Sequence, residues 1–140
     1  MKYSLNPSTL RTVITAKKNN SGIDFTAVSL KTGKEYNFNI TRKEYNGIWY
    51  TYVKIEHEYQ NYLYLGFYGD GNIIFKGKPN FSDASIVAAW MLRQLEAGKF
   101  ENLTNQIELY HLGQGHCLKC GRVLTDSESI RIGLGSICRA

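Results

Sequence analysis

Cysteine is scarce in this chain: three residues in 140, all between positions 117 and 138. Three thiols cannot all pair with one another, which argues against a disulfide scaffold and points to a reducing cytoplasm. Nowhere does an apolar run approach the roughly 18 residues of a membrane-spanning helix. The opening Met1-Lys-Tyr-Ser-Leu-Asn-Pro7 has no apolar stretch of the signal-peptide kind. Internal repeats and low-complexity runs are missing. So are a Ser/His/Asp order, paired carboxylates beside a histidine, and a phosphate loop, since Gly133-Leu-Gly135 is too short for a nucleotide fingerprint. These absences make a binding protein the expectation, and not an enzyme.

Basic residues outnumber acidic ones, 17 to 12, for a net charge of +5. The excess is uneven. Residues 1–43 hold eight Lys and Arg against two acids, residues 44–110 five against eight, and residues 111–140 four against two. A basic first third suits a surface that meets a polyanion, although a mixed, solvated surface accounts for the same numbers.

Hydrophobic periodicity predicts an α+β fold, an antiparallel β-meander packed on one long helix with a small C-terminal zinc knuckle. Residues 11–17 read as a strand or arm, and 17–22 as a turn. Strands are expected over 23–30 and 35–41, joined by a hairpin turn at Lys31-Thr-Gly-Lys34. Tyr36, Phe38 and Ile40 alternate with Asn37 and Asn39, the period of a half-buried strand. The stretch 49–55 alternates in the same way. Segments 62–68 and 72–76 flank Asp70-Gly71, a strong hairpin signal. Residues 83–97 read as the long helix, with Ala84, Val87, Ala88, Met91, Leu92 and Leu95 on one stripe and Gly98 after it. A short strand over 106–110 then leads to His111. The expected division is a β-rich body over 1–110 and a metal module over 111–140.

In that module Cys117-Leu-Lys-Cys120 is a natural chelate, because the tight turn lets both thiolates reach one ion. Structural Zn2+ takes four N or S donors in a tetrahedron. Cys117, Cys120 and Cys138 supply three. His111 and His116 are the candidates for the fourth, with His111 preferred because adjacent side chains seldom reach one ion together. Thr125 and Glu128 have capping-box spacing, and Gly133 suits the close of a two-turn helix. Such a helix is too short to stand alone, and zinc can supply on the order of 10 kcal/mol to small sites. Gly121 and Gly135 are placed to bring backbone N–H groups to the thiolates. Free thiols, a redox pair and a zinc with water in its fourth position remain alternatives.

The run Cys117-x-x-Cys120-Gly-Arg-x-Leu124-Thr125-Asp126-x-Glu128-Ser129-Ile130, then Gly133-x-Gly135 and Cys138, resembles a small family of uncharacterised domains common in bacteriophage and prophage proteins. Tyr64-Leu-Gly66, Asp83-Ala-Ser85, Trp90 and Tyr110-His111 extend the likeness upstream, more loosely. The chain has Ser127 and Ser136 where members typically carry Pro. A histidine placed like His111 precedes the knuckle in those domains. The resemblance implies a phage-type accessory protein and no established activity.

Two functions compete. Arg122, Arg131 and Arg139 near the knuckle, with Tyr50, Tyr52 and Lys54 (joined by Tyr62 and Tyr64) on one sheet face, suit DNA or RNA, the tyrosines by stacking on bases. An aromatic surface equally suits docking on a host or defence protein. No membrane partner is expected.

Overall fold

Strands whose apolar residues recur every second position must bury one face, and here that face is covered by helices. The computed structural model describes residues 1–17, 22–58, 61–69, 72–75 and 82–139. Its elements are β1 (Tyr3–Ser4), α1 (Pro7–Ile14), β2 (Ile23–Ser29), β3 (Glu35–Tyr45), β4 (Ile48–Glu58), β5 (Asn61–Gly69), β6 (Asn72–Phe75), α2 (Ser82–Ala97), α3 (Phe100–Thr104), β7 (Ile107–His111) and α4 (Ser127–Ile132). The strands form one antiparallel sheet of seven, in the order β1-β7-β2-β3-β4-β5-β6. The expected meander is therefore β2 to β6. The chain then crosses back through α2 and α3 and places β7 beside β2, with Ala27 opposite Leu109. The turn at Asp70-Gly71 and most of that at 17–22 lie outside the described residues.

The buried face is built from Phe25 and Ala27 of β2, Phe38 and Ile40 of β3, Val53 and Ile55 of β4, and Leu65 of β5. Against it pack Leu10, Val13 and Ile14 of α1, Leu103 of α3, and Ala84, Ala88, Met91, Leu92 and Leu95 of α2. Trp90 joins the edge of this core. Two tyrosines pin the ends of α2 to the sheet. Tyr36 donates to the Asp83 carboxylate, and burial together with that carboxylate pushes its hydroxyl up to about 12. Tyr68 is held well above the ordinary tyrosine range by burial and by its hydrogen bond with Glu96. No helix among the described residues is long and apolar enough to cross a membrane.

Residues 11–17 are not a strand. The chain from Pro7 to Ile14 is a helix, so the helical layer contains α1, α2 and α3 and not one long helix. Asn6 caps α1, its side-chain oxygen accepting from the Ser8 N–H at 2.9 Å, and Pro7 takes the first-turn position where a missing N–H costs nothing. The other end is satisfied from the sheet. Thr51 Oγ1 donates to the Ile14 carbonyl at 3.1 Å, and Arg42 Nε donates to the Ala16 carbonyl at 2.9 Å. Arg42 also reaches Thr51 Oγ1 at 3.0 Å. A buried cation thus lies at the C-terminal end of the helix, where the helix dipole favours positive charge.

Replacing Asn6 with Ala is expected to lower stability by about 1 kcal/mol, the usual worth of such a cap. Urea denaturation of the two proteins measures this, and an unchanged midpoint would contradict the capping role.

Candidate metal centre

Beyond β7 the chain folds around its own backbone. The Leu124 N–H bonds to the Gly115 carbonyl at 2.7 Å and the Cys117 N–H to the Arg122 carbonyl at 2.8 Å, closing a narrow hairpin over 115–124. At its tip the Gly121 N–H returns to the Cys117 carbonyl at 2.9 Å. Gly121 has φ +79, a conformation that strains any residue with a Cβ. After the hairpin comes α4, capped by Asp126, whose carboxylate accepts from the Ser129 N–H at 2.9 Å. The capping residue is therefore one position beyond Thr125. Gly133 closes the helix in the left-handed conformation, as its place in the sequence suggests. Its carbonyl takes the Leu118 N–H at 2.8 Å, locking helix to hairpin. Arg139 reaches back to Ser129 Oγ at 2.9 Å and to the Leu134 carbonyl at 3.1 Å, fixing the turn that carries Cys138.

These connections bring the three sulfurs together. The Sγ atoms of Cys117, Cys120 and Cys138 all lie within 4.8 Å of one another, and none is in a disulfide. Thiolates on one tetrahedral ion, with metal–sulfur bonds of about 2.3 Å, stand just under 4 Å apart. The cluster is therefore of a size to hold a metal ion. Around it Leu124, Leu134, Ile130 and Ile132 make a small apolar cluster of their own.

The surroundings of Cys117 favour the thiolate. Burial pushes its thiol up, but backbone N–H groups of Cys120, Gly135 and Lys119 point at the sulfur, and with the Cys120 side chain they bring it down to about 7. Such donors are what a metal-bound thiolate uses to spread its charge. Gly135 is thus placed as the sequence suggests, whereas the Gly121 N–H is taken up by the hairpin. Cys138 moves the other way, pushed up to about 11 by burial and by its neighbours Cys120 and Cys117. Sulfurs crowded together cannot all ionise without a cation between them.

His111, expected as the fourth ligand, does not join them. Its ring is 2 % exposed. Nδ1 accepts from the Gly113 N–H at 3.1 Å, which leaves the proton on Nε2, and Nε2 lies 2.7 Å from the Arg131 carbonyl. Both nitrogens are occupied, so the imidazole ties β7 to α4. Tyr3 of β1 stacks on the same ring, centroids 5.5 Å apart. His116 is exposed, forms a backbone bridge to Val123, and is not in the group of sulfur atoms.

The residues expected to meet nucleic acid fall on two surfaces. Arg122 is exposed and lines a cavity with the three cysteines, Arg131 is exposed 3.9 Å from Glu128 and lines a separate cavity with Leu5, Phe100 and Tyr110, and Arg139 is engaged as described. Tyr50, Tyr52 and Lys54 lie on β4, three strands from β7, on the sheet face opposite the helices. The sequence reading missed Phe67, which the register places opposite Tyr52. Its ring meets Tyr50 edge-on at 5.6 Å and Tyr52 at 6.2 Å. Cross-strand pairing was the signal that could have found it.

Residues 109–140 match a family described as a family of unknown function (DUF6011). No curated protein and no solved structure matches the chain.

Two outcomes follow from this geometry. Replacing Cys138 with Ser should speed amide exchange in residues 115–139 while the amides of β2 to β5 stay protected, and unchanged exchange of the tail would contradict a shape set by the cluster. Replacing His111 with Ala should cost about 1–3 kcal/mol through the stranded Arg131 carbonyl, yet leave metal uptake, read by native mass spectrometry, at its wild-type level.

Proposed function

We propose that this chain is a phage-type accessory protein of the host cytoplasm that binds single-stranded nucleic acid, with a structural Zn2+ holding residues 111–140 as a separate module. The observation that carries the reading is the sheet face that no helix among the described residues covers. Tyr50, Tyr52 and Phe67 form one aromatic patch, and Tyr64, 43 % exposed, stands opposite Lys54 in the same strand pair. Lys43 and Lys54 on the same face are exposed. Aromatic rings at the spacing of a β-sheet offer stacking surfaces to successive bases, and lysines between them meet the phosphates. A Cys-rich donor set suits Zn2+, and the exposed Arg122 beside the cysteines adds positive charge there. The sequence likeness to phage domains supports the accessory role, and the chain is read as a binder and not a catalyst.

A second reading, docking on a host or defence protein, is favoured by a different surface. Ile86 and Leu30, 66 % and 49 % exposed, line a groove with Val87 and Trp90 beside β2. Exposed apolar side chains gathered in this way are a feature of protein contacts.

Fluorescence anisotropy with single-stranded oligonucleotides tests the first reading. Tyr52→Ala should weaken binding by about 1–3 kcal/mol, roughly 5- to 150-fold, and affinity should fall steeply between about 50 and 200 mM salt. No binding of DNA or RNA at the lower salt, or binding indifferent to Tyr50 and Tyr52, would remove it.

A further inference from the structure

Three sulfurs define three corners of a tetrahedron, and the side chains around them decide what can occupy the fourth. His111 has no lone pair to offer, because Nδ1 accepts from Gly113 and Nε2 faces the Arg131 carbonyl. His116 lines a neighbouring cavity that meets Cys117 and Cys120 but not Cys138, and its ring nitrogens are not in the group with the three sulfurs. The Asp126 carboxylate borders the same cavity as the cysteines and accepts from the Ser129 N–H, but its oxygens are not in the group with the sulfurs. Among the described residues, no other His, Cys, Asp or Glu atom joins the three sulfurs.

The space beside them is open. A cavity of about 290 Å3 meets all three cysteines and is lined further by Arg122, Thr125 and Ser136. A water's share of liquid volume is about 30 Å3, so the cavity admits a ligand of several heavy atoms. Cys120 is exposed and Cys138 half-buried, which leaves a path from solvent. Charge matters as well. Three thiolates on a divalent ion leave one net negative charge, and the Arg122 side chain at the cavity wall can offset a further anion.

We propose that the ion bound by Cys117, Cys120 and Cys138 keeps an exchangeable fourth ligand in this cavity, water at rest, which a small thiolate from solution can replace. The step is a substitution at the metal: the metal–oxygen bond breaks, a metal–sulfur bond forms, water leaves, and no electrons are transferred. The proposal rests on the cluster being a metal site.

Loading the full chain with Co2+ in place of Zn2+ and adding millimolar 2-mercaptoethanol tests it, with visible absorption and native mass spectrometry as readouts. The expected result is one Co2+ per chain, ligand-field bands that move to longer wavelength on adding the thiol, and sulfur-to-metal charge-transfer absorption that grows while the metal stays bound. His111→Ala and His116→Ala should respond like the wild type. Bands that do not move while Co2+ is retained, loss of Co2+ in His116→Ala, or one ion shared by two chains would each overturn the open position. Failure of the wild type to take up Co2+ would instead overturn the metal site, and the proposal with it.

Discussion

The pairing of β7 between β1 and β2 is the constraint from which the C-terminal half of the molecule takes its position. After the meander the chain is at β6, the far edge of the sheet, and only the crossover through α2 and α3 returns it to β2. The ladder from Thr26–Tyr110 to Ser29–Ile107 then fixes where the strand ends and which way His111 faces. On the core face of that strand the imidazole holds the Arg131 carbonyl near the end of α4, with Tyr3 stacked against it. The cysteine cluster is thus attached to the sheet through a hydrogen-bonded histidine, and its own shape comes from the hairpin at 115–124 and the turn before Cys138.

The sheet divides labour between its faces. One is covered by three helices and contains Arg42, a cation buried with its partners Ala16 and Thr51 and lowered by burial below the usual arginine range. A buried cation that donates hydrogen bonds to several partners is costly to strip of any one of them, so the end of α1, β3 and β4 are held in a single relation. The other face carries Tyr50, Tyr52 and Phe67, whose rings meet one another, and the exposed Lys43 and Lys54. A rigid support under an aromatic surface keeps the rings at fixed spacing, which lowers the entropy lost when a planar ligand stacks on them.

The meander, α2 and the gathering of the cysteines were legible because each depends on local pattern: alternation in β3, a stripe along α2, and a chelate turn at Cys117-Leu-Lys-Cys120. What escaped depends on distant partners. Helix α1 reads ambiguously over Arg11–Lys17 because its C-terminal carbonyls are satisfied by Thr51 and Arg42, more than 25 positions away, although Asn6-Pro7 was a usable start signal. His111 has the spacing of a ligand. No sequence feature shows that the Gly113 N–H and the Arg131 carbonyl take both its nitrogens. The cap of α4 moved by one residue because Thr125 and Asp126 are both good caps, and only backbone geometry chooses between them.

The strand order has one more consequence. Among the described residues the sheet ends in β1, two residues long, and β6, four residues long. Its inner strands β3 and β4 run to eleven. Unsatisfied ladder groups at a margin invite another polypeptide to add itself there, and brief outermost strands give such a recruit little to hold. Lateral growth into fibrils or strand-swapped pairs finds little purchase on margins this short.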